Sequence, residues 1–392
     1  MKHRVVVLGA GYAGANAAGR LARRLHPADT EITLVSADPE FVERIRLHQL
    51  ATGQDLKSRP LTEVFAGTGV RVRIARVTAV DAERKTVDTD GAGEIAYDTL
   101  VYALGSTADD HGVPGVAEHA HHVAGKQAAL RLRARLAELT AGGTVLVVGG
   151  GLTGIEAAGE IAEARPDLDV ALAARGGVGD WLSEKAQGHL HKVFDRLGIT
   201  VHEHTDVTGV EPGRVTAADG REIPAQVTVW TAGFAVHPIA AATTLEVSAA
   251  GQIVVDETMR SVSHSDVYAV GDAALAPGAS GSPLRMSCAS GVPSARHAAD
   301  VIAARLTGRP VPPNEISYRA QCVSLGRRDG VLQWVTPGDR TKPSAITGKA
   351  AARLKEMICR AAVWSVSHPT SMLPVRRRHA VPAEEVGAKV VY

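Results

Sequence analysis

The pattern Gly-x-Gly-x-x-Gly occurs twice in this chain, at Gly9, Gly11 and Gly14 behind the apolar run 5–8, and at Gly149, Gly151 and Gly154 behind the apolar run 145–148. An alanine-rich stretch without proline follows each one, so both glycine turns join a strand to a helix. This setting restricts the fold more than any other feature. The turn brings backbone N–H groups and a helix N-terminus to one point, where they offset the charge of a pyrophosphate. Ala10, Tyr12 and Ala13 fill out the first turn, and Thr153 stands in the second. Two such sites predict an α/β protein with two Rossmann-like dinucleotide-binding domains, and they imply electrons passing between two cofactors.

At 392 residues the chain exceeds what one hydrophobic core usually serves, which predicts two or three domains. Its 43 Lys and Arg against 42 Asp and Glu give no bulk field that would draw in nucleic acid. Cys288, Cys322 and Cys359 are far apart and form no Cys-x-x-Cys pair, a usage expected of a reducing cytoplasm. The first apolar strand begins close to Met1, leaving no room for a signal peptide, and no stretch reaches the ~18 apolar residues of a membrane span. The expectation is a cytoplasmic protein, peripheral on the cytoplasmic face of the membrane at most.

Residues 1–36 read as strand, helix, strand. Further strands are expected over 71–80 and 96–104, with a turn-rich hairpin at 88–93. Ser, Asp, Gly and Pro then crowd residues 105–115 and mark a crossing between domains. A helix over 126–139 leads to the second fingerprint, whose own helix must stop before Pro166, and 169–173 is the next strand. The strand 225–231 and the turn Ala232-Gly233-Phe234 return the chain to the first unit. One discontinuous domain, 1–113 and 235–310, is therefore read as holding an inserted domain, 114–234. Residues 287–306 read as a helix whose start is interrupted by Gly291 and Pro293. A small C-terminal domain, 311–392, is expected to hold strands near 321–325 and 330–335 and a helix over 347–366.

With the fingerprints, residues 99–105 and Val267-Tyr268-Ala269-Val270-Gly271-Asp272-Ala273, the chain resembles the two-dinucleotide-binding flavoprotein superfamily, and more closely the type II NADH:quinone oxidoreductases. His48-Gln49-Leu50-Ala51-Thr52-Gly53 with Arg59-Pro60-Leu61 is similar to one segment of that family. Tyr97-Asp98-Thr99-Leu100-Val101-Tyr102-Ala103-Leu104-Gly105-Ser106 is similar to its linker strand, and residues 145–156 and Trp230-Thr231-Ala232-Gly233 match as well. The resemblance spans residues 3–305 and thins beyond 310.

This resemblance implies FAD on the first fingerprint. Asp272, beside Gly271, would bond the ribityl chain, and the backbone of Val77 and Ala103, with Gly105 following, would border the adenine and pyrophosphate. An acidic residue is usual ~20 residues past the fingerprint, to bind the adenosine ribose. Ser36 stands there instead, with Asp38 or Arg44 to assist. The second fingerprint would take the nicotinamide donor, with Gly233 on the returning turn. Residues 170–174 carry no carboxylate for a ribose diol, and Arg175 follows at once. That arrangement suits a 2′-phosphate, which favours NADPH and leaves NADH open. Glu156 and Cys288 are the candidate catalytic side chains. By resemblance Glu156 lies near the nicotinamide ring, and on its own it reads as a surface carboxylate at a helix N-terminus.

The acceptor is less defined. No cysteine pair occurs in 41–50, which argues against a disulfide substrate. The glutamine-containing helix that quinone reductases carry after Gly-Asp is replaced by Met286-Ser287-Cys288-Ala289-Ser290-Gly291-Val292-Pro293, where Cys288 either faces the flavin or is a small buried hydrophobe. The favoured reading is an FAD-dependent NAD(P)H oxidoreductase that reduces a quinone-like small molecule. A soluble tailoring flavoenzyme and a nucleotide-binding redox sensor stay open. In the tail, Ala350, Leu354, Met357, Ile358, Ala361 and Trp364 recur at helical spacing among Lys349, Arg353, Lys355 and Arg360, ahead of Arg376-Arg377-Arg378-His379. Such a helix lies on an anionic membrane, caps the flavin domain or forms a homodimer seam.

Overall fold

The β-branched run His3–Leu8 forms the central strand of a fully parallel five-stranded sheet in the computed structural model, which describes residues 1–91, 93–278, 281–370 and 376–381. From edge to edge the strands are Val267–Ala269, Thr99–Tyr102, His3–Leu8, Thr30–Ser36 and Val70–Ile74. Val5, Val7 and Leu8 are wholly buried, as a parallel sheet covered on both faces requires. The helices Tyr12–Arg24 and Cys288–Leu306 pack along each other and share this core.

The second fingerprint repeats the plan. Thr144–Val148 is the central strand of another parallel sheet, ordered Thr200–His202, Asp169–Ala173, Thr144–Val148, Val227–Trp230 and Ala120–His121. Each unit also carries a three-stranded antiparallel meander. The first is Val77–Asp81, Thr86–Thr89 and Ile95–Ala96; the second is Val207–Glu211, Gly213–Ala217 and Glu222–Ala225. Ser106–Ala108 pairs antiparallel with Phe234–Val236, so the chain leaves the first sheet and returns to it at one place.

Two strands expected to be continuous are split. Val70–Ile74 stays in the parallel sheet and Val77–Asp81 opens the meander, because the Ala75 N–H closes on the Ser36 carbonyl and Asp90 captures the Arg76 N–H. Alternation lapses here only at the adjacent apolar pair Ile74-Ala75, with no Gly or Pro to mark a turn, so the pattern hides the corner. The 96–104 run turns likewise at Asp98, whose carboxylate accepts the Arg4 backbone N–H and guanidinium.

The C-terminal region is an antiparallel sheet, Ala320–Ser324, Gly330–Val335 and Thr341–Thr347, followed by the helix Lys349–Ser367. Val323, Leu325 and Val331 of the sheet join the core of the second unit, whereas Val363 and Val366 of the helix join that of the first. The tail therefore ties the two units together. Met357, Ile358 and Trp364 of the helix remain exposed. The basic run beyond it, expected at a lipid surface, is drawn back onto the first unit. Arg377 Nε donates to the Ala22 carbonyl, the Arg378 backbone bonds those of Arg24 and His26, and His379 Nδ1 lies 2.8 Å from Asp29 Oδ2. Among the described residues no helix is long and apolar enough to cross a membrane.

Candidate active site

Both glycine turns share one geometry. Gly9 and Gly149 take φ of +92° and +125°, a region that side chains rarely enter. A Cβ on Gly14 would lie 1.8 Å from the Gly9 carbonyl oxygen, and one on Gly154 would lie 1.8 Å from that of Gly149. Over the middle glycines, Gly11 and Gly151, nothing stands within 4 Å. Neither helix N-terminus is capped by a side chain, so the N–H groups that begin Tyr12–Arg24 and Leu152–Ala164 are free for a pyrophosphate. Ala103 borders the first turn through its carbonyl oxygen, and Thr231 takes the same place at the second. Val77 is buried at the start of the first meander. These two cradles fit two dinucleotides.

Asp272 stands past the edge strand of the first sheet. Gly271, at φ +68°, abuts Ala13 and donates its N–H to Ser294 Oγ at 3.2 Å. Gly291 also faces Gly271, so the absence of a side chain lets the helix Cys288–Leu306 approach the turn. The expected interruption of this helix does not occur, since Pro293 forfeits only one hydrogen bond near the start of a 19-residue helix packed along Tyr12–Arg24. Ser106 Oγ donates to Asp272 Oδ2 at 2.7 Å, and Arg44 donates to Ser106 O and Oγ at 2.5 and 2.9 Å. Burial lowers the Arg44 pKa against the pull of Asp272. Arg44 thus serves the Asp272 end of the site and not Ser36, whose hydroxyl donates to the Asp38 carbonyl at 2.8 Å. Gly105 lies beside the Arg44 guanidinium.

Glu156 is not a surface carboxylate. It is 4% exposed, and its Oε1 accepts the Ser324 N–H at 2.9 Å, the Ser324 hydroxyl at 3.0 Å and Lys355 Nζ at 2.9 Å. Lys355, expected on the polar face of the tail helix, turns inward because a buried carboxylate needs a countercharge. Burial pushes Glu156 up, yet Lys355, His48 and Ser324 together hold it below the usual carboxylate value. Burial pulls Lys355 down, and Glu156 more than restores it, well above the ordinary lysine value. Burial also lowers His48 to about 4, and its Nε2 has no hydrogen-bond partner among the described residues. The Tyr12 hydroxyl is likewise buried and unpartnered.

Of the three cysteines, Cys288, Cys322 and Cys359, two meet at one side chain: Lys355 donates to the Cys322 carbonyl and stands one helical turn before Cys359. All are free thiols. Burial pushes Cys322 up to about 11 and raises the other two. Cys288 is exposed at the start of the helix Cys288–Leu306, one turn before Gly291, which faces Gly271 beside Asp272. Lys355, Ser324, Ser106 and His48 escaped the sequence reading as site residues. Of these, His48 and Ser106 lay in segments already singled out, whereas no local signal marks Ser324 or turns Lys355 inward. Arg175 follows the strand Asp169–Ala173, has a side chain 78% exposed and pairs with Asp206 at 3.0 Å. Thr153 lies in the first turn of Leu152–Ala164, and Gly233 packs against His111.

Residues 3–300, which contain both cradles and Asp272, match the pyridine nucleotide-disulphide oxidoreductase family. The chain belongs to that family. Within the pyridine nucleotide-disulphide oxidoreductases, it is 31% identical over 352 residues to an NADH dehydrogenase-like protein of Mycobacterium tuberculosis, covering 84% of this chain and 87% of the relative. It is 26% identical to a type II NADH:quinone oxidoreductase of Staphylococcus epidermidis, over 93% of this chain and 96% of that one. This member is accordingly an NADH dehydrogenase-like oxidoreductase. Its fold is that of NDH2 from Plasmodium falciparum, at TM-score 0.78 and 14% identity over 96% of this chain and 99% of that one. The sulfide:quinone oxidoreductase of Aquifex aeolicus shares it at TM-score 0.77 and 20% identity, over 98% and 94%. Lys355 and Ser324 lie beyond the stretch that the family profile matches.

Proposed function

We propose that this chain is an FAD-dependent NAD(P)H oxidoreductase that passes electrons on to a quinone-like small molecule. One observation carries the reading: two glycine turns of one geometry, each leading to a helix N-terminus without a side-chain cap, stand in one chain, and Asp272, bonded by Ser106, follows the first sheet. Hydride transfer between two dinucleotides would take place in the cleft between the two cradles. Residues 1–113 and 235–310 would hold FAD, 114–234 the nicotinamide nucleotide, and 311–392 would close the cleft.

Bound flavin supplies the two-electron relay between donor and acceptor. The chain's own part is positioning and charge. The free N–H groups at Tyr12–Arg24 offset the pyrophosphate. Asp272, held by Ser106 and Arg44, offers its carboxylate to a polyol chain. Lys355 keeps a fixed positive charge beside the cleft, anchored by Glu156 and donating to the Cys322 carbonyl at 3.0 Å. Such a charge favours negative charge gained on reduction. Arg175, exposed after a strand end that lacks a carboxylate, supports a contact to a 2′-phosphate, so NADPH is favoured and NADH accepted. A site on the cytoplasmic membrane face, touching lipid through Met357, Ile358 and Trp364, agrees with their exposure.

Anaerobic reduction of the purified protein, followed by mixing with a water-soluble quinone, tests the acceptor. Prompt return of the flavin absorbance is the expected result. Flavin that stays reduced through the mixing would rule out a quinone-like acceptor.

A further inference from the structure

A pocket of about 480 Å³ opens on the tail side of the cleft, between the helix Lys349–Ser367, the turn after the strand Ala320–Ser324, and Gln49 of the first unit. Six cationic side chains line it: Arg327, Arg328, Lys349, Arg353, Lys355 and Arg360. Glu356 is the one carboxylate of the lining, and it is already shared by Arg46 at 2.9 Å, Arg360 at 2.7 Å and Arg327 at 3.5 Å. Lys355 is committed to Glu156. The side chains of Arg328, Lys349 and Arg353 have no hydrogen bond or ion pair among the described residues. The helix Lys349–Ser367 opens at the same place with no acidic residue in its first turn and no side-chain cap, which adds to the positive potential. Ala352, Met357 and Cys359, with the aliphatic stems of the lining arginines and lysines, give the pocket an apolar wall that suits a ring.

Like charges crowd together at a cost unless an anion relieves them, and a cation-lined concavity concentrates anions from solution. We propose that the electron acceptor is anionic: a compact quinone-like ring bearing a sulfonate, carboxylate or ionised hydroxyl group. Arg328, Lys349 and Arg353 hold the anionic group, while the ring reaches inward past Lys355 and Cys359 toward the cleft. This inference rests on the flavin reading above. The overall reaction is NAD(P)H + H⁺ + quinone → NAD(P)⁺ + hydroquinone; the quinone gains two electrons and two protons, and its anionic substituent is unchanged. An anionic phospholipid headgroup offers the same chemistry, and the exposed Met357 beside the pocket makes it the rival occupant.

The test compares 1,4-naphthoquinone-2-sulfonate with neutral 1,4-naphthoquinone in the parent holoprotein and in the double variant Arg328→Ala/Arg353→Ala. The sulfonate also alters the ring's potential, so the readout is movement of the kcat/KM ratio and not its absolute value. The ratio of sulfonated to neutral acceptor is expected to fall by about fivefold or more in the double variant. It should also fall as salt rises to ~0.5 M. Cosedimentation with phosphatidylglycerol and phosphatidylcholine vesicles forms the second arm. A ratio that does not move overturns the proposal, and loss of phosphatidylglycerol binding in the same variant would then assign the pocket to a lipid headgroup. Anaerobic bleaching of the flavin by NADPH or NADH alone separates the two levels. Bleaching with an unmoved ratio overturns only the anionic acceptor, whereas no bleaching overturns the flavin reading and this inference with it.

Discussion

Replacing Lys355 with methionine keeps an unbranched side chain only one atom shorter and removes the charge on which Glu156 depends. At the observed 2.9 Å and an effective dielectric of ~20, the attraction between the two charges is about 6 kcal/mol. Most of that is offset by the cost of taking both ions out of water, and breaking a buried pair typically costs about 3–5 kcal/mol because the survivor stays buried and unpaired. The expected fall in Tm is about 4–6 °C, followed by flavin release on heating. The loss should depend on pH. In the parent, Glu156 is held below its unfolded value, so its stabilisation is present above that value and lost as pH falls through the lower folded one. Without Lys355, burial raises the folded value, and stability present at low pH is lost as pH rises. The gap between parent and variant should therefore widen from pH ~5 to ~8. Adding Glu156→Gln should recover much of the loss, since a neutral amide tolerates burial better than a lone carboxylate. A Tm drop below ~2 °C, equal at both pH values, would refute the claim that Lys355 is the countercharge of Glu156.

Further outcomes follow from individual contacts. Gly14→Ala places a Cβ 1.8 Å from the Gly9 carbonyl and should yield protein without flavin colour; a yellow, fully loaded variant would contradict the first cradle. Arg175→Ala should raise the KM for NADPH by about tenfold while moving that for NADH little, and equal changes would sink the 2′-phosphate contact. Glu160 is pushed up to about 7 by burial, with the Gln54 amide as donor and its Oε2 unpartnered among the described residues. Its stabilising contribution is present below the unfolded value and lost as pH rises through about 7. Glu160→Gln should therefore raise stability at pH ~8 by up to about 3 kcal/mol and leave it unchanged at pH ~4, read from urea melts.

Both fingerprints were legible because the physics is local: a β-branched strand, glycines where a Cβ would strike a carbonyl, and an alanine-rich helix stand within a few residues of one another. Asp169–Ala173 and Gly330–Val335 were legible for the same kind of reason, as short apolar runs bounded by turns. Asp272 was named by resemblance, and its contact with the Ser106 hydroxyl appears only in the structure. What stayed hidden depends on packing between distant segments. The corner at Ala75 carries no Gly or Pro, and only the Ser36 carbonyl and the Asp90 side chain decide it. Lys355 belongs by spacing to a basic helix face, and the buried Glu156 alone turns it inward. Cys322 and Cys359 meet at Lys355 only because the tail helix packs on the strand Ala320–Ser324.

The most direct test of two cradles serving one cleft is anaerobic stopped-flow mixing of flavin-loaded parent and Gly154→Ala protein with NADPH and with NADH, followed by flavin absorbance. The account predicts rapid bleaching of the parent. It predicts that Gly154→Ala, with its Cβ 1.8 Å from the Gly149 carbonyl, keeps its flavin and is bleached at least about a hundredfold more slowly. Equal bleaching of the two proteins, or none in the parent, would contradict it.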